Sequence, residues 1–216
     1  MKILHILDHS LPTHTGYTFR SQSLLRAQRA MGYEPVVVTS PKHEESLPDS
    51  NADRDVINDF IYYRTGAVGS GPGPFAGELR LMHALYRRIL DVARIEKPDV
   101  LHAHSPVLNA FPAIRAARRL GIPVVYEIRA FWEDAAVDHG SYAEGSWKYR
   151  LTRFLETRAC SLADHVAVLC NGLKNDLIKR GIPEKKITPV FNGVDIDDFR
   201  PCAPDPEYLR VWGLAG

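Results

Sequence analysis

The stretch Leu7-Asp8-His9-Ser10-Leu11-Pro12-Thr13-His14-Thr15-Gly16-Tyr17-Thr18-Phe19 decides how this chain folds. Ahead of it Ile3, Leu4, Ile6 and Leu7 form an apolar run without polar alternation, the pattern of a strand buried on both faces. Behind it, from Thr18 to Met31, Phe19, Leu24, Leu25, Ala27 and Met31 supply an apolar face at helical spacing, and Gly32 stops the helix. A loop so placed lies at the carboxyl edge of the first strand of a parallel sheet, where open α/β folds bind ligands. Gly16 lets the backbone approach a ligand closely, and the unpaired N–H groups of a helix start suit an anion.

The rest of the chain repeats this strand-to-helix rhythm. Strands are predicted over Pro35 to Thr39, Val56 to Arg64 (at or near an edge), Pro98 to His102, Ile122 to Ile128, Asp164 to Leu169 and Lys186 to Val190. Helices are predicted from Phe75 to Glu96, up to Gly121, from Ser146 to Leu162 and from Asn171 to Arg180. Pro41 to Asp55 and Asp134 to Gly145 are polar, lack periodicity and read as loops. Alternating strands and helices imply an α/β fold with a doubly wound, mainly parallel, Rossmann-like sheet. Right-handed crossovers then gather the strand outlets on one edge: Asp8 to Tyr17, Thr39-Ser40, His104-Ser105, Arg129 to Asp134 and Leu169 to Asn171. Gly71-Pro72-Gly73-Pro74-Phe75-Ala76 has the form of a dinucleotide-binding pattern, but its two prolines remove the N–H donors a pyrophosphate needs. It also does not follow the first strand, so it reads as a lead-in to a helix.

Composition narrows the function classes. Apolar content of 45% and charged content of 25% over 216 residues are those of an ordinary globular protein. A net charge of +1 argues against a nucleic-acid partner, which calls for a basic domain or stripe. Cys160, Cys170 and Cys202 are odd in number and lack C-x-x-C spacing, which favours free thiols in a reducing compartment. Met1-Lys2 runs directly into a strand without an apolar leader, and no run approaches the roughly 18 apolar residues of a membrane span. The expectation is a cytoplasmic protein.

Several residues at the shared edge carry candidate chemistry. His102 and His104, two apart in a strand, face one side; without a carboxylate or cysteine at ligand spacing, one packing inside and one meeting ligand or water is preferred over metal binding. Arg129 emerges at the neighbouring outlet and suits phosphate or carboxylate recognition, with a salt bridge to Glu127, Glu133 or Asp134 as the competing reading. Arg129 and His104 are the candidates for catalytic work. Phe131 and Trp132 read either as a platform for a sugar ring or lipid or as a cover for the core. His9 and His14 share the first loop with Asp8 and read either as solvated or as functional. Arg80, Arg87, Arg88 and Arg94, and likewise Lys148, Arg150, Arg153 and Arg158, make one side of two helices basic. A solvated face is the default there, and peripheral attraction to an anionic membrane is the sharper alternative.

In order and spacing, these segments resemble the amino-terminal half of a family-4-type glycosyltransferase of the GT-B fold. The carriers are His14-Thr15-Gly16-Tyr17, then Arg29-Ala30-Met31-Gly32-Tyr33-Glu34-Pro35-Val36-Val37-Val38-Thr39. Pro98-Asp99-Val100-Leu101-His102-Ala103-His104-Ser105-Pro106 and Ile122-Pro123-Val124-Val125-Tyr126-Glu127-Ile128-Arg129 continue the set. Most specific are Ala163-Asp164-His165-Val166-Ala167-Val168-Leu169-Cys170-Asn171-Gly172-Leu173-Lys174 and the later Asn192-Gly193-Val194-Asp195. The opening His5-Ile6-Leu7-Asp8-His9-Ser10-Leu11-Pro12 is similar to a branch associated with exosortase and exopolysaccharide gene clusters.

The resemblance implies a retaining transferase that moves a sugar from a nucleotide-sugar donor, its co-substrate, to a glycan or lipid-linked acceptor, with no bound cofactor or metal. It assigns the donor diphosphate to Thr15, Gly16 and Tyr17, and the acceptor to a surface expected to include His9, His14, Ser105, Phe131, Trp132 and Glu133. It places residues 1–199 in the acceptor-side domain and 200–216 in a linker leading to a donor-binding domain not contained in the chain, so the fragment alone is expected to be inactive. Three departures stand out: Tyr17 follows Gly16 where relatives often carry a second glycine, Arg129 stands where many carry histidine, and Ala130 replaces a frequent acidic residue. Two other classes share the pattern: a nucleotide-sugar 2-epimerase, which has the same two-half fold, and a non-catalytic glycan- or membrane-binding module.

Overall fold

The computed structural model describes residues 1–46, 53–69, 75–194, 196 and 200–213. Its strands are β1 (Lys2–Leu7), β2 (Glu34–Thr39), β3 (Arg54–Ile57), β4 (Phe60–Tyr63), β5 (Val100–His104), β6 (Val124–Ile128), β7 (His165–Val168) and β8 (Ile187–Pro189). Between them lie α1 (Gly16–Ala30), α2 (Pro41–Ser46), α3 (Ala76–Glu96), α4 (Val107–Leu120), α5 (Trp132–Asp138), α6 (Trp147–Leu162), α7 (Asn171–Lys179) and, last, α8 (Pro206–Val211). The strands form one sheet in the order β3-β4-β2-β1-β5-β6-β7-β8, parallel except for the β3–β4 pair. The chain starts in the middle at β1, winds outward through β2 to β4, then crosses to β5 and winds the other way. The direction reverses between β1 and β5, and the crevice outside their carboxyl ends is where such sheets take ligands.

The larger part of the core lies on one face, and a smaller apolar cluster of Leu7, Leu25, Val37, Phe60 and Tyr62 lies on the other. Leu4 and Ile6 of β1, Leu101 and Ala103 of β5, and Val124, Tyr126 and Ile128 of β6 pack against Leu85 and Ile89 of α3, Ala113 and Ile114 of α4 and Ala159 of α6. Period-2 alternation of the strands selects these residues, and their burial is the main source of stability. Helix α4 ends where Gly121 adopts φ 69°, a left-handed cap that costs glycine no steric strain.

Three expectations need correction. The single strand over Val56 to Arg64 is a hairpin, β3 and β4, because Asn58 and Asp59 take φ 52° and 64° and turn the chain in two residues. The polar stretches after Pro41 and around Asp134 contain the short helices α2 and α5. Finally, α1 does not bury the apolar face read for it: Phe19 and Met31 are 57% and 64% exposed. Its buried residues are Thr18, Ser21, Gln22, Leu25 and Gln28. The helical spacing holds, but the sheet beneath is mixed: Leu25 packs on Leu7, Val37, Phe60 and Tyr62, while Gln22 and Gln28 hydrogen-bond to Tyr62 and His5. Of the Gly71 to Ala76 pattern, residues 71–74 lie outside the described residues.

Candidate functional site

The β1–α1 loop opens onto the crevice and is fixed at several points. Thr15 caps α1 in a reciprocal box: the Thr18 N–H donates to Thr15 Oγ1 at 3.2 Å, and the Thr15 N–H donates to Thr18 Oγ1 at 2.9 Å. The Asp8 N–H donates to the Tyr17 hydroxyl at 3.1 Å, closing the loop on itself. A Cβ built on Gly16 would find no heavy atom within 4 Å, so open space adjoins the start of the helix. His14 is exposed and stacks on Phe19 at 5.5 Å. His9 is half-buried, with Nδ1 3.2 Å from Asp8 Oδ2.

Behind the loop, the face of the sheet under α1 carries a chain of polar groups. A guanidinium only donates, so Arg129 Nη2, 2.8 Å from His104 Nδ1, makes that nitrogen the acceptor and puts the His104 proton on Nε2. His104 Nε2 then donates to His5 Nδ1 at 2.9 Å, and His5 Nε2 donates to Gln28 Oε1 at 2.7 Å. Both imidazoles are neutral: burial pushes His5 well below the ordinary range and His104 down to about 3. Glu127, 1% exposed, is the anion of this face. Burial opposes its ionisation, yet the carboxyl is held well below its usual range, and its Oε1 accepts from the Nε groups of Arg20 and Arg129 at 3.1 Å each. Arg20 reaches on to Asn192 Oδ1 at 2.6 Å and to the Val190 carbonyl at 3.1 Å.

Arg129 is therefore turned toward α1 rather than outward. It donates to the Tyr17 carbonyl at 2.7 Å and to Ser21 Oγ at 3.0 Å, and its guanidinium lies 4.0 Å from the Tyr17 ring centre. The salt bridge to Glu127, weighed above against ligand recognition, is formed. His104 is fully enclosed, whereas the His102 side chain keeps 12% exposure, its Nε2 3.2 Å from Glu127 Oε2 but unpartnered by hydrogen-bond direction.

Among the described residues, His5, His102 and His104 bring their ligand atoms within 4.8 Å of one another. The arrangement does not suit a cation. A metal lies in the plane of each imidazole that binds it, and the His102 and His104 rings are stacked 4.2 Å apart at 22°, so their lone pairs run side by side. The Arg129 guanidinium adds positive charge at the same point.

At the β6 outlet the expected acceptor residues separate. Trp132 is 41% exposed and faces solvent. Ser105 is buried, its Oγ accepting from the Arg129 N–H at 3.2 Å. Phe131 lies beneath the Arg180 guanidinium, 3.8 Å from its ring centre. Glu133 is fully buried and accepts from Arg180 Nη1 at 2.6 Å. Ser105, Phe131 and Glu133 thus face the protein interior, because α5 packs inward on α6 and Arg180 supplies the counter-charge. Nearby, burial raises Glu156 to about 7, Glu133 adding to the shift, while the Tyr126 hydroxyl donating at 2.5 Å works against it.

Arg20, Gln28, His5 and Arg64 escaped the sequence reading. His5 sits in an apolar run, and only its register opposite His102 reveals it. Arg64, 2% exposed, follows Tyr62-Tyr63 at the end of β4 and reaches the β1–α1 loop across the sheet.

A capped helix start opened by glycine, at the reversal point of a mainly parallel sheet, defines a Rossmann-like α/β lobe. The chain belongs to glycosyltransferase family 4, whose profile matches residues 19–198. It is 30% identical over 220 residues to a GDP-mannose-dependent alpha-mannosyltransferase of Mycolicibacterium smegmatis, covering 100% of this chain and 54% of that protein. It is also 30% identical over 195 residues to the sulfoquinovosyl transferase of Arabidopsis thaliana, covering 87% of this chain and 34% of that protein. It thus spans about half or less of the length of these curated relatives. Sucrose-phosphate synthase of Thermosynechococcus elongatus shares the fold with a TM-score of 0.71 at 11% identity, over 99% of this chain and 53% of that one. UDP-GlcNAc 2-epimerase of Methanocaldococcus jannaschii, solved with UDP-GlcNAc and UDP, follows at 0.56 and 18% identity, over 88% of this chain and 46% of that one. The fold is that of the amino-terminal half of a GT-B glycosyltransferase.

Proposed function

We propose that this chain is the acceptor-side lobe of a retaining glycosyltransferase that moves a sugar from a nucleotide-sugar donor to a glycan or lipid-linked acceptor, in exopolysaccharide or cell-surface glycan synthesis. The observation that carries the reading is Gly16: uncrowded, exposed and at the capped start of α1, beside the reversal between β1 and β5. Thr15, Gly16 and Tyr17 meet the donor diphosphate, whose N–H partners cost no reorganisation at the moment of bond cleavage. His9, His14 and Trp132 face the acceptor. Arg129, His104 and Ser105 act from behind the loop, setting its shape. Residues 200–216 lead into a donor-binding domain, and without it the lobe does not turn over substrate.

Sequence relatives at 30% identity are transferases, whereas the epimerase likeness rests on fold, so transfer is preferred over epimerisation. Product analysis after incubating the complete protein with GDP- and UDP-sugars tests this. Sugar transferred to an added acceptor supports it, and an epimerised nucleotide sugar formed without acceptor overturns it. Among the described residues no helix is long and apolar enough to cross a membrane. Exposed Trp147 and Phe154 on α6 lie among the basic Lys148, Arg150 and Arg158, which supports peripheral contact with anionic lipid at the inner face of the membrane. Liposome co-sedimentation with and without anionic lipid measures that contact.

A further inference from the structure

Arg64 is buried, and a buried guanidinium is costly unless every part of it is paired. Each of its three nitrogens has a partner. Nε donates to Asp55 Oδ2 at 2.7 Å, within the β3–β4 hairpin. Nη1 donates to Ser10 Oγ at 2.7 Å and Nη2 to the Leu11 carbonyl at 2.8 Å, more than fifty residues away in the β1–α1 loop. The Ser10 hydroxyl in turn donates to the same Leu11 carbonyl at 3.2 Å, closing a triangle between the fork and the loop backbone. The Tyr62 ring, 5.2 Å from the guanidinium carbon, flanks it.

The loop is thus held by two arginines from opposite sides. Arg129, paired with Glu127, ties its returning arm at Tyr17 and Ser21. Arg64, paired with Asp55, ties its outgoing arm at Ser10 and Leu11. Between the two anchors lie Thr15 and Gly16, and a further bond from the Thr13 N–H to the Ser10 carbonyl at 3.1 Å passes the outgoing anchor's constraint toward them. A planar fork fixes two acceptors at once, which a point charge on a flexible stem does not.

We propose that Arg64 is a positioning residue of the sugar-nucleotide site, acting through the loop rather than by touching substrate. The proposal rests on the glycosyl-transfer reading for its effect on turnover, but not for the anchoring itself. Arg64→Lys keeps the charge beside Asp55 and loses the fork. Ser10→Ala removes one anchor point on the loop side and leaves β4 intact, should the first variant fold poorly. Amide hydrogen exchange of residues 10–17, exchange of β5 and α3 as an internal reference, and kcat and KM of the complete enzyme for its nucleotide sugar are measured on each.

The expected result is a rise of about tenfold in exchange across 10–17 with the reference segments unchanged, and a fall of about tenfold in kcat/KM, the scale of one lost charge-assisted hydrogen bond. Ser10→Ala should show a smaller change in the same segment. Exchange that is unaltered in 10–17, or that rises in step with β5 and α3, overturns the anchoring. A loosened loop with unchanged kcat/KM overturns the positioning role while leaving glycosyl transfer standing. An unsubstituted enzyme that turns over no nucleotide sugar overturns glycosyl transfer, and with it the effect on turnover, while exchange still decides the anchoring.

Discussion

Strand β5 presents two different proteins to its two sides. Leu101 and Ala103, both fully buried, point into a core of Leu, Ile, Val and Ala, whereas His102 and His104 point the other way into Glu127, His5, Arg129 and Arg20. On the first side stability is a sum of buried methylenes, and each side chain can be exchanged for another of similar volume. On the second, charges and directed hydrogen bonds interlock, and removing one partner strands another in low dielectric. The apolar side builds the lobe. The polar side holds the start of α1 and the loop before it.

The sharpest way to break this contrast is Glu127→Gln, which leaves the Arg20 and Arg129 guanidiniums without their shared anion. Urea titration should show a loss of about 3–5 kcal/mol. A loss below about 1 kcal/mol would mean that the polar face is not electrostatically interlocked. Leu101→Ala, on the opposite side of the same strand, should cost about 3 kcal/mol through lost burial and a cavity, with kcat/KM per folded molecule unchanged. A parallel fall in kcat/KM would show that the two faces are coupled.

Gly16→Val places methyl groups where the protein itself has none, so thermal stability should hold. Turnover by the complete enzyme should drop roughly 100-fold, equivalent to about 2.7 kcal/mol in the transition state. An unaltered kcat/KM would remove Gly16 from the site. The smallest effect comes from a carboxyl embedded on the apolar side. Glu156 titrates near 7 when folded, above its ordinary value, so folding takes up a proton. That contribution is complete below the ordinary carboxyl range and is lost as pH rises through 7. Glu156→Gln stays neutral at every pH, so its advantage over the native chain should be near zero at pH 4 and reach on the order of 2 kcal/mol at pH 6. A pH-independent difference in melting temperature would show that Tyr126 and Arg180 hold the native carboxylate as comfortably charged as neutral.

The buried strands were readable from residues alone because Leu4, Ile6, Leu101, Val124 and Tyr126 sit in apolar runs that announce themselves by hydropathy, but which side faces the larger core was not. The α1 helix shows where that signal stops. Its register could be read from sequence, but the buried stripe Thr18, Ser21, Leu25 and Gln28 is mostly polar, so a search for apolar residues picked the exposed Phe19 and Met31. Near the loop, the glycine at the helix start was legible because it is a local signal, although the helix begins at Gly16, capped by Thr15, rather than near Thr18. Arg129 was placed at the correct outlet, but its inward aim depends on Glu127 and Tyr17, which only the packed sheet brings to it. His5 and Arg64 were invisible for the same reason: each acts on a neighbour many residues away. The Asn58-Asp59 turn was the one local signal present and passed over.

The reach of Arg64 bears on how this lobe can be altered. The β1–α1 loop looks like a self-contained segment that could be exchanged between relatives to change what the enzyme accepts. Two of its backbone and side-chain oxygens, however, are already committed to an arginine at the end of β4, and that arginine to an aspartate on β3. The transplantable unit is therefore discontinuous: loop, Arg64 and Asp55 travel together, or the grafted loop arrives with a buried cation and no agreed shape.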